Sequence, residues 1–168
     1  VVDYAYAPGL WQTTIELIDD PDKSVVDKSG ALLYDFSKGF DGAFATRISL
    51  DLAPDTQWVL QRVRSPKAPI VITQSQVESL AIAQEAFSVA KPERSDVVHI
   101  VLHNGGPSAL TLSPSILVES TKALRLGKSA ARIDKTMTVT ASLGFRGLST
   151  VSKTRRALRL ASIIVPAH

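Results

Sequence analysis

Period-two alternation of apolar and polar residues recurs along almost the whole chain, and it restricts the fold more than any other feature. Phe44, Thr46, Ile48 and Leu50 fall on one side of an extended segment, with Ala45, Arg47 and Ser49 on the other. Met137, Val139, Ala141 and Leu143 alternate in the same way with Thr138, Thr140 and Ser142. Ile15 and Leu17 oppose Thr14 and Glu16, and Val59 and Val63 oppose Trp58, Leu60, Arg62 and Arg64. Residues 69–73 are β-branched and follow a proline-rich bend at 65–69. Residues 80–89 form a further strand candidate whose alanines also suit a short helix. Residues 96–103 read as a strong strand, Asn104-Gly105-Gly106-Pro107 as a turn, and 110–118 as the returning arm. That unit is either a hairpin or two strands meeting across a longer turn. Residues 158–165 give one more strand. Roughly ten strands at this spacing predict an all-β protein with little helix, a sandwich or a barrel, and of the two an antiparallel β-sandwich is preferred.

The 168 residues suit a single domain spanning 1–168. With 45% apolar and 21% charged residues the chain can bury a core, and no apolar run approaches the ~18 residues of a membrane span. Cysteine is absent, which removes disulfides, thiol nucleophiles and thiolate metal sites. Net charge is +3, but residues 1–120 hold nine Lys/Arg against fifteen Asp/Glu, and residues 121–168 hold ten against one. A basic segment suits a polyanion partner, or basic strand faces laid against acidic ones within the fold. The second reading uses both halves and is preferred. The start without methionine and the strand close to the end suggest a fragment of a longer chain.

Motifs that carry chemistry are scarce. The glycine-rich phosphate loops, the zinc-protease pair and the nucleophile elbow are all missing. His99 and His103 share a strand face, but four residues of strand put them ~13 Å apart, too far to hold one metal. Asp19, Asp20 and Asp22 cluster in a turn that lacks the spaced ligands of a calcium loop, so they read as a solvated acidic turn. Asp35 and Asp41 flank a second loop, with nothing to pair them as a hydrolytic acid and base. No catalytic residue, metal site or cofactor is therefore predicted. Among the amphipathic aromatics, Tyr4, Tyr6, Trp11, Tyr34 and Trp58, the last is expected in or near the core. Trp11 follows the Pro8-Gly9 break and opens a short strand, and Tyr34-Asp35 sits by the next loop. An indole that stacks on a sugar and a carboxylate that accepts its hydroxyls make Trp11, Tyr34 and Asp35 the candidate carbohydrate-binding residues. Nucleic-acid binding is not expected, since no aromatic interleaves the charges from Lys153 onward.

Several segments in order carry a resemblance: Leu10-Trp11-Gln12-Thr13-Thr14-Ile15, residues 20–36, Phe44-Ala45-Thr46-Arg47-Ile48, residues 65–71, Gln84-Glu85-Ala86-Phe87, and Arg94-Ser95-Asp96 through Asn104-Gly105-Gly106. Together they resemble the N-terminal β-sandwich module of bacterial glycoside hydrolases with an (α/α)6 barrel, such as glycogen-debranching-like and rhamnosidase-like enzymes. The resemblance covers residues 10–120 and leaves the basic segment aside. It implies a supersandwich-like, non-catalytic accessory domain that packs on a helical catalytic barrel and helps shape a cleft for an oligo- or polysaccharide. Such modules usually run longer, and a missing strand would leave an open sheet edge prone to self-association. The family setting suggests a soluble, periplasmic or secreted protein with no membrane partner. The rival reading is an autonomous glycan- or protein-binding sandwich, and a third is a small β-barrel enzyme.

Overall fold

The computed structural model describes residues 2–3, 11–18, 24–36, 44–53, 55–65 and 68–167. These residues hold no helix and are all-β, in antiparallel sheets. The strands in chain order are β1 (Val2–Asp3), β2 (Gln12–Thr14), β3 (Val25–Asp27), β4 (Leu32–Phe36), β5 (Phe44–Asp51) and β6 (Gln57–Ser65). Then come β7 (Ala68–Val77), β8 (Leu80–Val89), β9 (Ser95–Asn104), β10 (Leu110–Leu112), β11 (Ser115–Ser120) and β12 (Leu124–Leu126). The last are β13 (Ala131–Ile133), β14 (Met137–Val139), β15 (Phe145–Thr150), β16 (Arg155–Leu160) and β17 (Ile163–Val165). The chain divides into two compact units, Val1–Leu32 with Pro54–Leu110 and Val165–His168, and Leu33–Ala53 with Thr111–Ile164. The first carries seven Lys/Arg against eleven Asp/Glu, and the second twelve against five, nets of −4 and +7.

The first unit is built on a sheet of order β1-β6-β7-β8-β9. Residues 80–89 resolve as strand, because the segment lies between two long neighbours that satisfy both edges of its backbone. Alternation in β6 is broken by a bulge: Trp58 pairs Ser75, Leu60 pairs Gln74, and Val59 is left over. Trp58 therefore shares a face with Gln61 rather than with Leu60, and Val59 lies 47% exposed. That face holds a buried polar hub. Gln61 Nε2 donates to Asp27 O at 2.8 Å and to Thr73 Oγ1 at 2.9 Å. Asp27 Oδ1 in turn accepts from Ser29 N, Ser29 Oγ and Ala31 N, closing the turn after β3. Gly30, at φ +82°, completes that turn where a Cβ would lie 3.2 Å from both Gln84 Oε1 and Thr73 Oγ1. Nearby, Asp96 Oδ2 accepts from Ser24 Oγ at 2.6 Å and Oδ1 from Ser88 Oγ at 2.6 Å, with Arg94 beside it.

The hairpin arrangement after β9 does not form: among the described residues β9 pairs only β8, and no ladder joins it to β10. Asn104 explains the local geometry. Its side chain is fully buried, its Oδ1 accepts from Gly106 N at 3.0 Å, and its Nδ2 donates to Ser108 O at 2.8 Å. These bonds hold the chain in a wider loop than a two-residue turn allows.

The second unit has two layers. The sheet β15-β16-β11-β5-β4 faces the short sheet β12-β13-β14. Val118, Ala131, Ile133 and Leu158 form the buried centre, with Ile48, Ile116, Leu124, Leu126, Met137, Val139 and Phe145 packed on it. The alternation at 137–143 carries only three residues of strand. Gly144, at φ +68°, donates its N–H to Ala141 O at 3.1 Å, so Ala141 to Gly144 turn the chain into β15 and leave Leu143 38% exposed. The expected strand at 158–165 is likewise split at Ala161 and Ser162 into β16 and β17.

Candidate functional site

On its other face the larger sheet of the second unit neutralises its own basic residues. Ladder register puts Glu119 of β11 opposite Arg155 of β16 and Arg47 of β5. Its carboxylate lies 3.2 Å from Arg155 Nε and 3.7 Å from Arg47 Nη1. Part of the basic segment is thus met by an acidic strand residue, as the charge asymmetry suggested.

A second group of cations lines a cleft of about 350 Å³ at one end of this unit. Two turns build it. After β11, Lys122 N donates to Ser120 Oγ at 3.1 Å, and Ser120 Oγ also shares a 2.8 Å hydrogen bond with Thr46 Oγ1. Between β15 and β16, Val151 N and Ser152 N both donate to Arg155 O at 3.0 Å. Arg156 Nη1 clamps that turn by donating to the carbonyls of Ser152 and Lys153. Ser120 N donates to Thr154 O at 2.8 Å and ties the two turns together. The cleft floor is Val118 and Leu124, and its rim presents Lys122, Lys153 and Arg156 with the hydroxyls of Ser120, Thr121 and Thr154. Lys and Arg only donate, while hydroxyls donate and accept, so this lining suits carboxylate, sulfate or hydroxyl oxygens.

The three sequence candidates are distributed as follows. Asp35, exposed and at φ +56°, holds Lys122 Nζ at 2.6 Å and so stands beside one of the cleft's cations. Tyr34, its neighbour on β4, is half-buried. Trp11 belongs to the first unit, half-buried, with its Nε1 donating to Gln61 Oε1 at 3.2 Å. Asp19, Asp20, Asp22, Asp41, Tyr4 and Tyr6 lie outside the described residues. His99 and His103 both sit exposed on β9, and His99 Nδ1 is 3.4 Å from Glu85 Oε2. Among the described residues no group of three His, Cys, Asp or Glu could hold a metal ion, and no helix is long and apolar enough to cross a membrane. Lys122, Lys153 and Arg156 were visible in the sequence only as members of a basic run; their convergence follows from the β11–β16 pairing.

Comparison with known protein families, with curated proteins and with solved structures finds no match to this chain.

Proposed function

We propose that this chain is a non-catalytic β-sandwich accessory domain of a carbohydrate-active enzyme of the glycoside hydrolase class, and that its cleft holds part of a glycan. The observation that supports this reading is the lining of the cleft: three cations and three hydroxyls over an apolar floor, beside two hydrogen-bonded turns. Hydrolysis of a glycosidic bond normally needs two carboxylates across the scissile bond, and this lining instead offers hydrogen-bond donors for retention. Asp35, bonded to Lys122, supplies an acceptor beside one of the cleft's cations. A catalytic helical barrel is the partner on which such a domain would pack.

Titrating the chain with a panel of neutral and acidic oligosaccharides, followed by calorimetry, tests the proposal. Binding of at least one class is expected, without turnover of aryl glycosides. Lys122→Ala should weaken binding about tenfold, the value of one charge-assisted hydrogen bond. Binding to no saccharide, or hydrolysis by the chain itself, would overturn it.

A further inference from the structure

The short sheet β12-β13-β14 turns one face to the core, and among the described residues nothing covers the other. Leu124, Leu126, Ala131, Ile133, Met137 and Val139 pack inward. The residues between them form a single cross-strand row, Arg125 opposite Arg132 opposite Thr138, and all three are exposed. Like charges set directly opposite in a ladder repel and destabilise the sheet. Elsewhere in the same unit this is avoided: Glu119 stands between Arg47 and Arg155 in its row. The Arg125–Arg132 row has no carboxylate in register, and the turns at its two ends add the exposed Lys128 and Lys135, against one exposed Asp134. Thr136 and Thr140, also exposed, flank Thr138 at strand spacing and extend a line of hydroxyls along β14.

We infer that this face is a binding surface for an anionic polysaccharide, one bearing carboxylate or sulfate groups. The inference rests on the reading of the chain as a glycan-binding module and names the glycan class. Two guanidinium forks on adjacent strands, ~5 Å apart, can grip one planar carboxylate or one sulfate from both sides. The threonine line meets sugar hydroxyls with groups that donate and accept. The net +7 of the unit draws a polyanion toward the face. Nucleic acid is a poorer fit: single strands bind by stacking bases on aromatic rings, and a duplex offers its phosphates to the cations but leaves the threonine line unmatched. Phe145 is the one aromatic after residue 120, and it packs on the core.

The test uses the chain with four probes: heparin, polygalacturonate, an uncharged glucan oligosaccharide and a short DNA duplex. Expected is salt-sensitive binding of at least one of the two acidic glycans, tighter than of the glucan or the duplex. Arg125→Gln with Arg132→Gln should weaken it about tenfold or more, while the melting temperature holds or rises as the like-charge pair is removed. Arg125→Lys with Arg132→Lys keeps the charge without the fork and should bind at an intermediate level. Acidic-glycan binding unchanged in the double glutamine variant overturns the assignment of this face. Binding of the glucan but of neither acidic glycan overturns the inference and leaves the glycan-module reading standing. Binding of no glycan overturns both, and tighter binding of the duplex through the same arginines overturns the ligand class.

Discussion

The indole Nε1 of Trp11 donates to Oε1 of Gln61 at 3.2 Å, and Gln61 is 2% exposed. Through the other end of the same side chain the bond continues to Asp27 O and Thr73 Oγ1. A buried amide with its partners in place specifies one arrangement of the elements it joins, because each orphaned atom would carry a desolvation cost. Trp11→Phe keeps most of the ring and removes only the donor, so it should cost about 1–2 kcal/mol. Gln61→Leu removes the whole hub and should cost about 2–4 kcal/mol by leaving Thr73 and Asp27 without this donor. Urea unfolding of the two variants checks the order. A Trp11→Phe variant as stable as the parent would show that the indole bond contributes nothing.

Gly30→Ala should destabilise the first unit by about 1–3 kcal/mol. The backbone there is left-handed at φ +82°, and the added Cβ would press on Gln84 Oε1 and Thr73 Oγ1 at 3.2 Å. Chemical denaturation compared with Gly105→Ala, where the nearest atom lies at 3.7 Å, separates the local effect from a general loss of glycine.

Asp35→Asn tests the electrostatics of the cleft rim. The Asp35–Lys122 pair has side-chain exposures of 38% and 29%, so its loss should change stability by under about 1 kcal/mol. Asparagine tolerates the left-handed backbone at this position. Releasing Lys122 should raise affinity for an anionic oligosaccharide about threefold at low salt, with the gain shrinking as salt is added. Calorimetry at two ionic strengths reads both, and unchanged affinity would place Lys122 outside the ligand's reach.

Glu85 on β8 should make stability depend on acid pH. The hydrogen bond with His99 lowers its carboxyl from the ordinary value; partial desolvation opposes this, and the Arg64 charge adds to the lowering. A depressed carboxyl contributes stability above its unfolded value and loses it as pH falls through the folded one. The parent should therefore lose stability relative to Glu85→Gln on going from about pH 5 to about pH 3. Melting temperatures across that range give the comparison, and parallel curves would remove Glu85 as a source of acid sensitivity.

Leu158→Ala should be the most damaging of these changes in the second unit. Leu158 is fully buried among Val118, Ala131 and Ile133, and such truncations cost about 2–5 kcal/mol. A loss under about 1 kcal/mol, measured by denaturant unfolding, would mean that the two layers do not depend on each other at this point.

Alternation alone determined that Phe44 to Leu50 and residues 96–103 are strands, and it placed Thr46, Ile48 and Leu50 on one face. It also carried Met137 and Val139 to the core, because side-chain direction in a strand follows from nearest neighbours along the chain. What lies beyond nearest neighbours was decided by the tertiary structure. The bulge at Val59 exists only against the register of β7, so Trp58 and Gln61 share a face that no period-two count assigns them. The hairpin expected after β9 yields to Asn104, whose Nδ2 donates to Pro166 O at 3.2 Å, far along the chain, as well as to Ser108 O in the loop. Residues 80–89, open to helix or strand by composition, become strand because β7 and β9 take up both edges of their backbone. The basic segment was legible as a charge excess, yet its division was not. Glu119 neutralises Arg155, Asp35 engages Lys122, and Arg125 is left facing Arg132, since each of these meetings is set by which distant strands pair and in what register.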